Sequence, residues 1–267
     1  MKRILYPLIA LALGVGGYCL RTMQLSTALS PSTGMPILHH PLSYTLIGLT
    51  IVGALLLFLL SFFVANEAQD WYSAYHAGPA LQGLEFLSAL TFLGGTVIIF
   101  CTLFLTYRTI GEGNPLLVLF QTEPFLLFFG LLMIFATLAI FFMAFCNGDN
   151  GSWSLAPLLP GFTACVWLVL TYHANASNPS VMSFAWQVFA VSSAALAWYF
   201  TASFAFQFPH PQAATWFSLL TVMLCLIALA DPVALYQKVT LAATALWFLT
   251  RSVLLIDNTE YNGKHLG

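Results

Sequence analysis

The sequence predicts an all-α protein, a polytopic bundle of about eight transmembrane helices. Three observations point there. Of 267 residues, 60% are hydrophobic and only 6% are charged, 7 Lys and Arg against 9 Asp and Glu, where an ordinary soluble domain carries roughly 25% charged residues. So few charges cannot cover a water-soluble globule, and so much apolar surface cannot stay in water as a disordered chain. Apolar runs close to the ~20 residues needed to cross the hydrocarbon recur along the chain. Polar or Gly/Pro clusters separate them. The net charge of −2 and the lack of a basic stripe exclude a nucleic-acid partner. The lipid bilayer is the expected environment.

Taken in order, the runs give spans at 4–20, 42–64, 85–107, 124–146, 154–173, 180–207, 214–230 and 233–256. The first follows Lys2-Arg3. Its apolar stretch is longer than a signal-peptide core and no small-residue cleavage site directly follows, so it reads as a retained helix. His40-Pro41 breaks the chain before the second span. Asn114-Pro115, Asn178-Pro179 and Asp231-Pro232 each offer a capping side chain followed by proline where no N–H is needed. The short apolar segment Pro115–Gln121, followed by Pro124, reads as an interfacial turn or kinked lead-in to the fourth span. Residues 1–256 form one integral membrane domain, with 257–267 as a polar C-terminal tail. Trp71, Tyr72, Tyr75, Trp153, Tyr172 and Tyr236 fall near predicted span ends, as an aromatic belt requires.

Lys2, Arg3, Arg251 and Lys264 fall on one side of this topology, and Arg21, Arg108 and Lys238 on the other. The pair flanking the first span places both termini in the cytoplasm. Weak echoes suggest a parallel 4+4 repeat of halves 1–150 and 151–256. Phe86–Thr91 resembles Trp216–Thr221, Asn114–Gln121 resembles Asp231–Gln237, and Ser61–Phe63 resembles Ser203–Ala205, all in the same order. Such a repeat relates the halves by a pseudo-twofold along the membrane normal and leaves a cleft between them.

Ionisable groups inside a bilayer are costly and mark functional candidates. Glu85, Glu123 and Asp231 lie at predicted span edges, where the default is a hydrated helix end and the alternative is proton coupling or substrate binding. Arg251 is the one charge well inside an apolar run. Its long side chain can snorkel to the headgroups, or else pair with a carboxylate or an anionic solute. The polar-aromatic stretch Asn66–His76 is an interfacial helix by default, with Trp71, Tyr72, Tyr75 and His76 as the residues of a partner-docking alternative. Small residues at Gly14, Gly16, Gly17, Gly94, Gly95, Ala190, Ala194 and Ala197 permit close helix packing, within the chain or in a homodimer.

No cofactor or metal is expected. The histidines fall in loops, at span ends or in the tail rather than mid-span, which disfavours haem, and His39-His40 lacks a third ligand. Asp149 belongs to the turn Cys146–Gly151. The five cysteines form no CxxC pair and read as packing residues. H-E-x-x-H, G-x-S-x-G and Walker motifs are missing, so no enzyme is expected.

The Lys2-Arg3 start with its Gly14–Gly17 cluster, the Gly34-Met35-Pro36 loop and the block Leu158–Leu170 resemble polytopic membrane proteins of anaerobic Gram-positive bacteria, a group without an assigned activity. The resemblance implies a bacterial cytoplasmic membrane and carries over no site residues. Two functions fit the sequence. One is a small permease for an apolar or weakly polar solute, proton-coupled through Glu85 or Glu123, with Arg251 engaging an anionic group. The other is a non-catalytic anchor or scaffold subunit holding an unknown membrane partner.

Overall fold

The structure, a computed structural model, describes residues 2–28, 37, 40–64, 70–110, 114–146, 155–176 and 183–265, with side chains to 259. Among these residues there are ten helices and no strand. They are α1 (Lys2–Thr27), α2 (Pro41–Ser61), α3 (Trp71–Tyr75), α4 (Pro79–Ile110), α5 (Pro115–Thr122), α6 (Pro124–Cys146), α7 (Leu158–Ala174), α8 (Ala185–Ala205), α9 (Pro211–Ala228) and α10 (Leu235–His265). Proline opens α2, α4, α5, α6 and α9, where its missing N–H costs nothing. Asn114 caps α5 by accepting from the Leu116 amide, as its spacing before Pro115 predicts.

Seven helices are long and apolar enough to cross a membrane: α1, α2, α4, α6, α8, α9 and α10. The eighth predicted span is α7, 17 residues long. Connectivity requires it to traverse the bundle. The end of α6 lies beside the start of α4, where Gln82 Nε2 donates to the Ala144 carbonyl. The start of α8 lies at the other end of the bundle, where the Ser183 carbonyl accepts from Arg21 of late α1. Of the described residues between α6 and α8, α7 is the helix that joins these two faces. The Pro115–Gln121 segment is the short helix α5, whose Leu116, Leu117 and Phe120 are exposed, as on an interfacial helix.

One face of the bundle carries the start of α1, the end of α2, α3 and the later part of α10. There Lys2 donates to the Phe63 carbonyl and Arg3 pairs with Asp257 at 2.9 Å. We call this the terminal face. The opposite face carries the end of α1, the start of α2, α5 and the α9–α10 turn. The predicted polar tail continues α10 to His265.

The helices α10, α4, α6, α7, α8 and α9 pack in that order into a closed ring, and α1 and α2 lean on α9. The most enclosed helices are α9 and α10. Glycines set the α1–α9 approach. A Cβ at Gly14 would meet Leu226 at 2.6 Å and one at Gly17 would meet Ile227 at 2.5 Å, whereas Gly16 faces open space. Among described residues α2 packs on α1 and α9 without touching α4, while α8 and α9 pack closely. The first-half helices thus lie as two pairs, α1 with α2 and α4 with α6, on either side of α9 and α10.

All five cysteines are free, and only Cys225 is buried. Cys19, Cys101 and Cys165 face outward, so most are not the packing residues the sequence suggests. The turn Asn147–Gly151 with Asp149, the Gly34–Pro36 loop, His39, Trp153, Asn178-Pro179 and residues 66–69 of the polar-aromatic stretch lie outside the described residues.

Candidate functional site

The interior holds two ion pairs, one toward each face. Toward the terminal face, Arg251 of α10 meets Glu85 of α4, Nε to Oε1 at 2.9 Å, with both side chains 1% exposed. This overturns two expectations. Glu85 is not a hydrated helix end, because α4 begins at Pro79 and Glu85 sits nearly two turns in. Nor does Arg251 snorkel: it takes the alternative of pairing with a carboxylate, because α10 continues to His265 and three rings enclose the guanidinium. Its carbon lies 5.1 Å from the Trp71 ring centroid, 4.8 Å from Tyr75 and 4.5 Å from Trp247. Cation–π attraction thus supplements the carboxylate. The two charges touch, but off the hydrogen-bond direction. Both Glu85 oxygens and Arg251 Nε and Nη1 are buried without hydrogen-bond partners.

Two of these rings come from α3. Asp70 caps that helix with a capping box closed by Ser73. Asn258 of α10 holds it from below, donating to the Ala74 and His76 carbonyls at 3.0 Å. The four residues read as a docking patch therefore split. Tyr75 is buried and Trp71 half-buried against Arg251, while Tyr72 and His76 are exposed. Burial pushes the Tyr75 phenol up to about 12 against the pull of Arg251, so a neutral ring faces the guanidinium.

Toward the opposite face, Arg21 of α1 donates from Nε to Asp231 Oδ1 at 2.7 Å, from Nη1 to Gln24 Oε1 at 2.8 Å and from Nη2 to the Ser183 carbonyl at 3.3 Å. Gln24 Nε2 in turn donates to Ser43 Oγ of α2 at 2.9 Å. One fork thus ties α1, α2, the lead-in to α8 and the α9–α10 turn. Asp231 is not the expected hydrated end or helix cap. It is fully buried and α10 starts only at Leu235. Burial raises its carboxyl to about 6, with Arg21 opposing the shift. Glu123 alone of the three carboxylates is exposed, at the α5–α6 junction.

The sequence reading missed Arg21, Gln24 and Ser43, because the apolar run stops at Leu20. A signal was present. The buried face of α1 runs Pro7, Ala10, Gly14, Gly17, Arg21, Gln24, an unbroken alternation of three and four. That alternation keeps Arg21 on the packing face rather than in a loop.

Between the pairs, helices of the ring line a partly open cavity of about 20 Å³. Its walls include Phe92, Trp167, Trp198, Thr163, Thr240 and Thr244. Trp167 Nε1 is buried without a partner. Trp198 stacks on Trp247, centroids 5.6 Å apart at 27°, and Trp247 stacks on Arg251. A continuous column therefore leads from the cavity through two indoles to the Arg251–Glu85 pair and out to α3. On α10, Thr240, Thr244, Trp247 and Arg251 fall on one face at spacings of four, three and four.

Among the described residues no three His, Cys, Asp or Glu side chains gather as a metal site. Comparison with protein-family models, curated proteins and solved structures finds no match. The fold and its interior therefore define the class alone: a multi-pass helical membrane protein with two charged pairs inside its bundle.

Proposed function

We propose that this chain is a small permease for an apolar or weakly polar solute, proton-coupled through Glu85 and without catalytic activity. The observation that carries the reading is the placement of one buried ion pair toward each face with a cavity between them. Along the chain, Thr244 lies ~10 Å from Arg251, and the column Trp198–Trp247–Arg251 fills the route between cavity and terminal face. Charge in this setting is expensive unless paired. Protonating Glu85 removes the counter-charge of Arg251, leaves the guanidinium held by rings alone and loosens the column. The cycle closes when Glu85 gives up that proton on the other side of the membrane and pairs with Arg251 again, with the Arg21–Asp231 pair sealing the opposite face until then. The cavity lining offers hydroxyls and indoles and no ionisable group, which suits an uncharged solute. At about 20 Å³ it has room for one water, the contracted state of such a cycle. This reading takes the membrane to be a bacterial cytoplasmic one with both termini inside, on the strength of the Lys2-Arg3 pair before α1.

The test uses purified protein in liposomes loaded with a pH-sensitive dye, given inward gradients of a panel of small apolar and weakly polar solutes. The expected result is solute-dependent acidification that Glu85→Gln abolishes without loss of folding. A wild type that moves no protons with any solute of the panel, or a Glu85→Gln variant as active as wild type, overturns the reading. The small volume of the cavity, too little for a solute larger than water, favours the second reading, a non-catalytic scaffold subunit. Native mass spectrometry of protein extracted gently from its host membrane would support it by revealing a stoichiometric second polypeptide.

A further inference from the structure

On the outer surface of the bundle, Thr96, Val97, Phe100, Cys101, Phe104 and Leu105 of α4, with Ile134 of α6, line an open groove of about 600 Å³. Residues spaced 96/97, 100/101 and 104/105 fall on one helix face. The stripe starts near the middle of α4 and runs toward the opposite face. The next position in register is Arg108, exposed, its guanidinium 6.0 Å from the Phe104 ring. Thr96 to Arg108 spans ~18 Å, slightly more than the ~15 Å of half a hydrocarbon core. The groove therefore runs from mid-bilayer to the headgroup level of a single leaflet.

The groove is closed at its inner end. There Thr96 and Thr137 hydroxyls bond at 3.0 Å, and Gly130 lets α6 approach Ile99 and Phe100. Thr96 also donates to its own helix at Phe92, so the lining is apolar throughout. Arg108 has no acidic partner among the described residues. An apolar trough one leaflet deep, ending at headgroup height in a cation that no described carboxylate pairs, matches one class of ligand in both halves.

We propose that this groove binds an anionic phospholipid, with an acyl chain along α4 and α6 and its phosphate on Arg108. The site stands on different residues from the permease reading and does not depend on it.

The test is native mass spectrometry of the full chain in neutral detergent, titrated with phosphatidylglycerol or with phosphatidylcholine of the same chain length. Wild type is expected to hold one phosphatidylglycerol about fivefold more tightly than phosphatidylcholine, the effect of one basic side chain at an anionic headgroup. Arg108→Gln is expected to abolish that preference and Arg108→Lys to keep it. Val97→Trp, at an outward-facing position, is expected to fill the groove and weaken both lipids. Each variant is checked for wild-type thermal stability first. Equal binding of the two lipids by wild type, a preference that survives Arg108→Gln, or binding untouched by Val97→Trp overturns the proposal.

Discussion

Replacing Arg251 by methionine removes a charge and keeps most of the side-chain volume. At 2.9 Å from Glu85, the pair interacts by ~6 kcal/mol at an effective dielectric constant of ~20. The three rings at 4.5 to 5.1 Å add about 1 kcal/mol each. Against this stands the desolvation of the guanidinium, several kcal/mol, which the methionine no longer bears. What remains is a carboxylate buried without its counter-charge, and the net loss expected for Arg251→Met is about 3–5 kcal/mol. The partner variant Glu85→Leu should cost about the same. The double variant Glu85→Leu/Arg251→Met should return to within about 1 kcal/mol of wild type, because both desolvation costs vanish together. Unfolding in mixed micelles of rising SDS fraction, followed by tryptophan fluorescence, measures all four species. A single Arg251→Met as stable as wild type, or a double variant whose loss is the sum of the singles, would refute this account. Arg251→Lys separates burial from snorkelling. A snorkelling arginine accepts the change, whereas the ringed, buried one should lose about 1–2 kcal/mol, since an ammonium stacks poorly on aromatic faces.

Three further outcomes follow from the geometry. Arg21→Lys should lower stability by about 1–3 kcal/mol in the same assay, because one ammonium cannot reproduce a fork that reaches Asp231, Gln24 and Ser183. Gly14→Ala should cost about 1–3 kcal/mol, since its Cβ would lie 2.9 Å from Leu226 Cβ, while Gly16→Ala, facing open space, should be neutral or slightly stabilising; equal losses would contradict the α1–α9 contact. The Asp231 carboxyl, raised by burial to about 6, should be protonated below that pH and ionised above it. Infrared difference spectra should show its protonated C=O band disappearing as pH rises through about 6, and Asp231→Asn should lack that change.

Much of the fold was legible because span formation is a one-dimensional property. The apolar runs at 42–64 and 124–146 became α2 and α6 with little change of boundary, since length and hydropathy alone decide whether a segment prefers the bilayer. The candidate site was legible in composition and misread in environment. Glu85, Asp231 and Arg251 stand out as rare charges, but the default for Glu85 and Asp231 is a hydrated helix end and for Arg251 a side chain snorkelling to the headgroups, with carboxylate pairing of Arg251 only the alternative. Their true surroundings come from residues distant in sequence: Arg251 for Glu85, Arg21 for Asp231, and Trp71 and Tyr75 for Arg251. Arg21 counts in the sequence only as a flanking topology charge because a hydropathy run ends at the first charge, whereas a helix ends only when its backbone bonds stop. Here α1 continues to Thr27.

The sequence by itself determined that this chain is a membrane-embedded helical bundle, because a chain with so few charges cannot expose its surface to water and must satisfy its backbone within helices. It also determined which ionisable groups are scarce enough to matter. Tertiary structure alone decided which of them meet. In hydrocarbon a charge stays ionised only beside a partner, and that partner is supplied by helix packing. The ring that brings α4 against α10 makes Glu85 and Arg251 a pair, and the small-residue face of α1 carries Arg21 to Asp231.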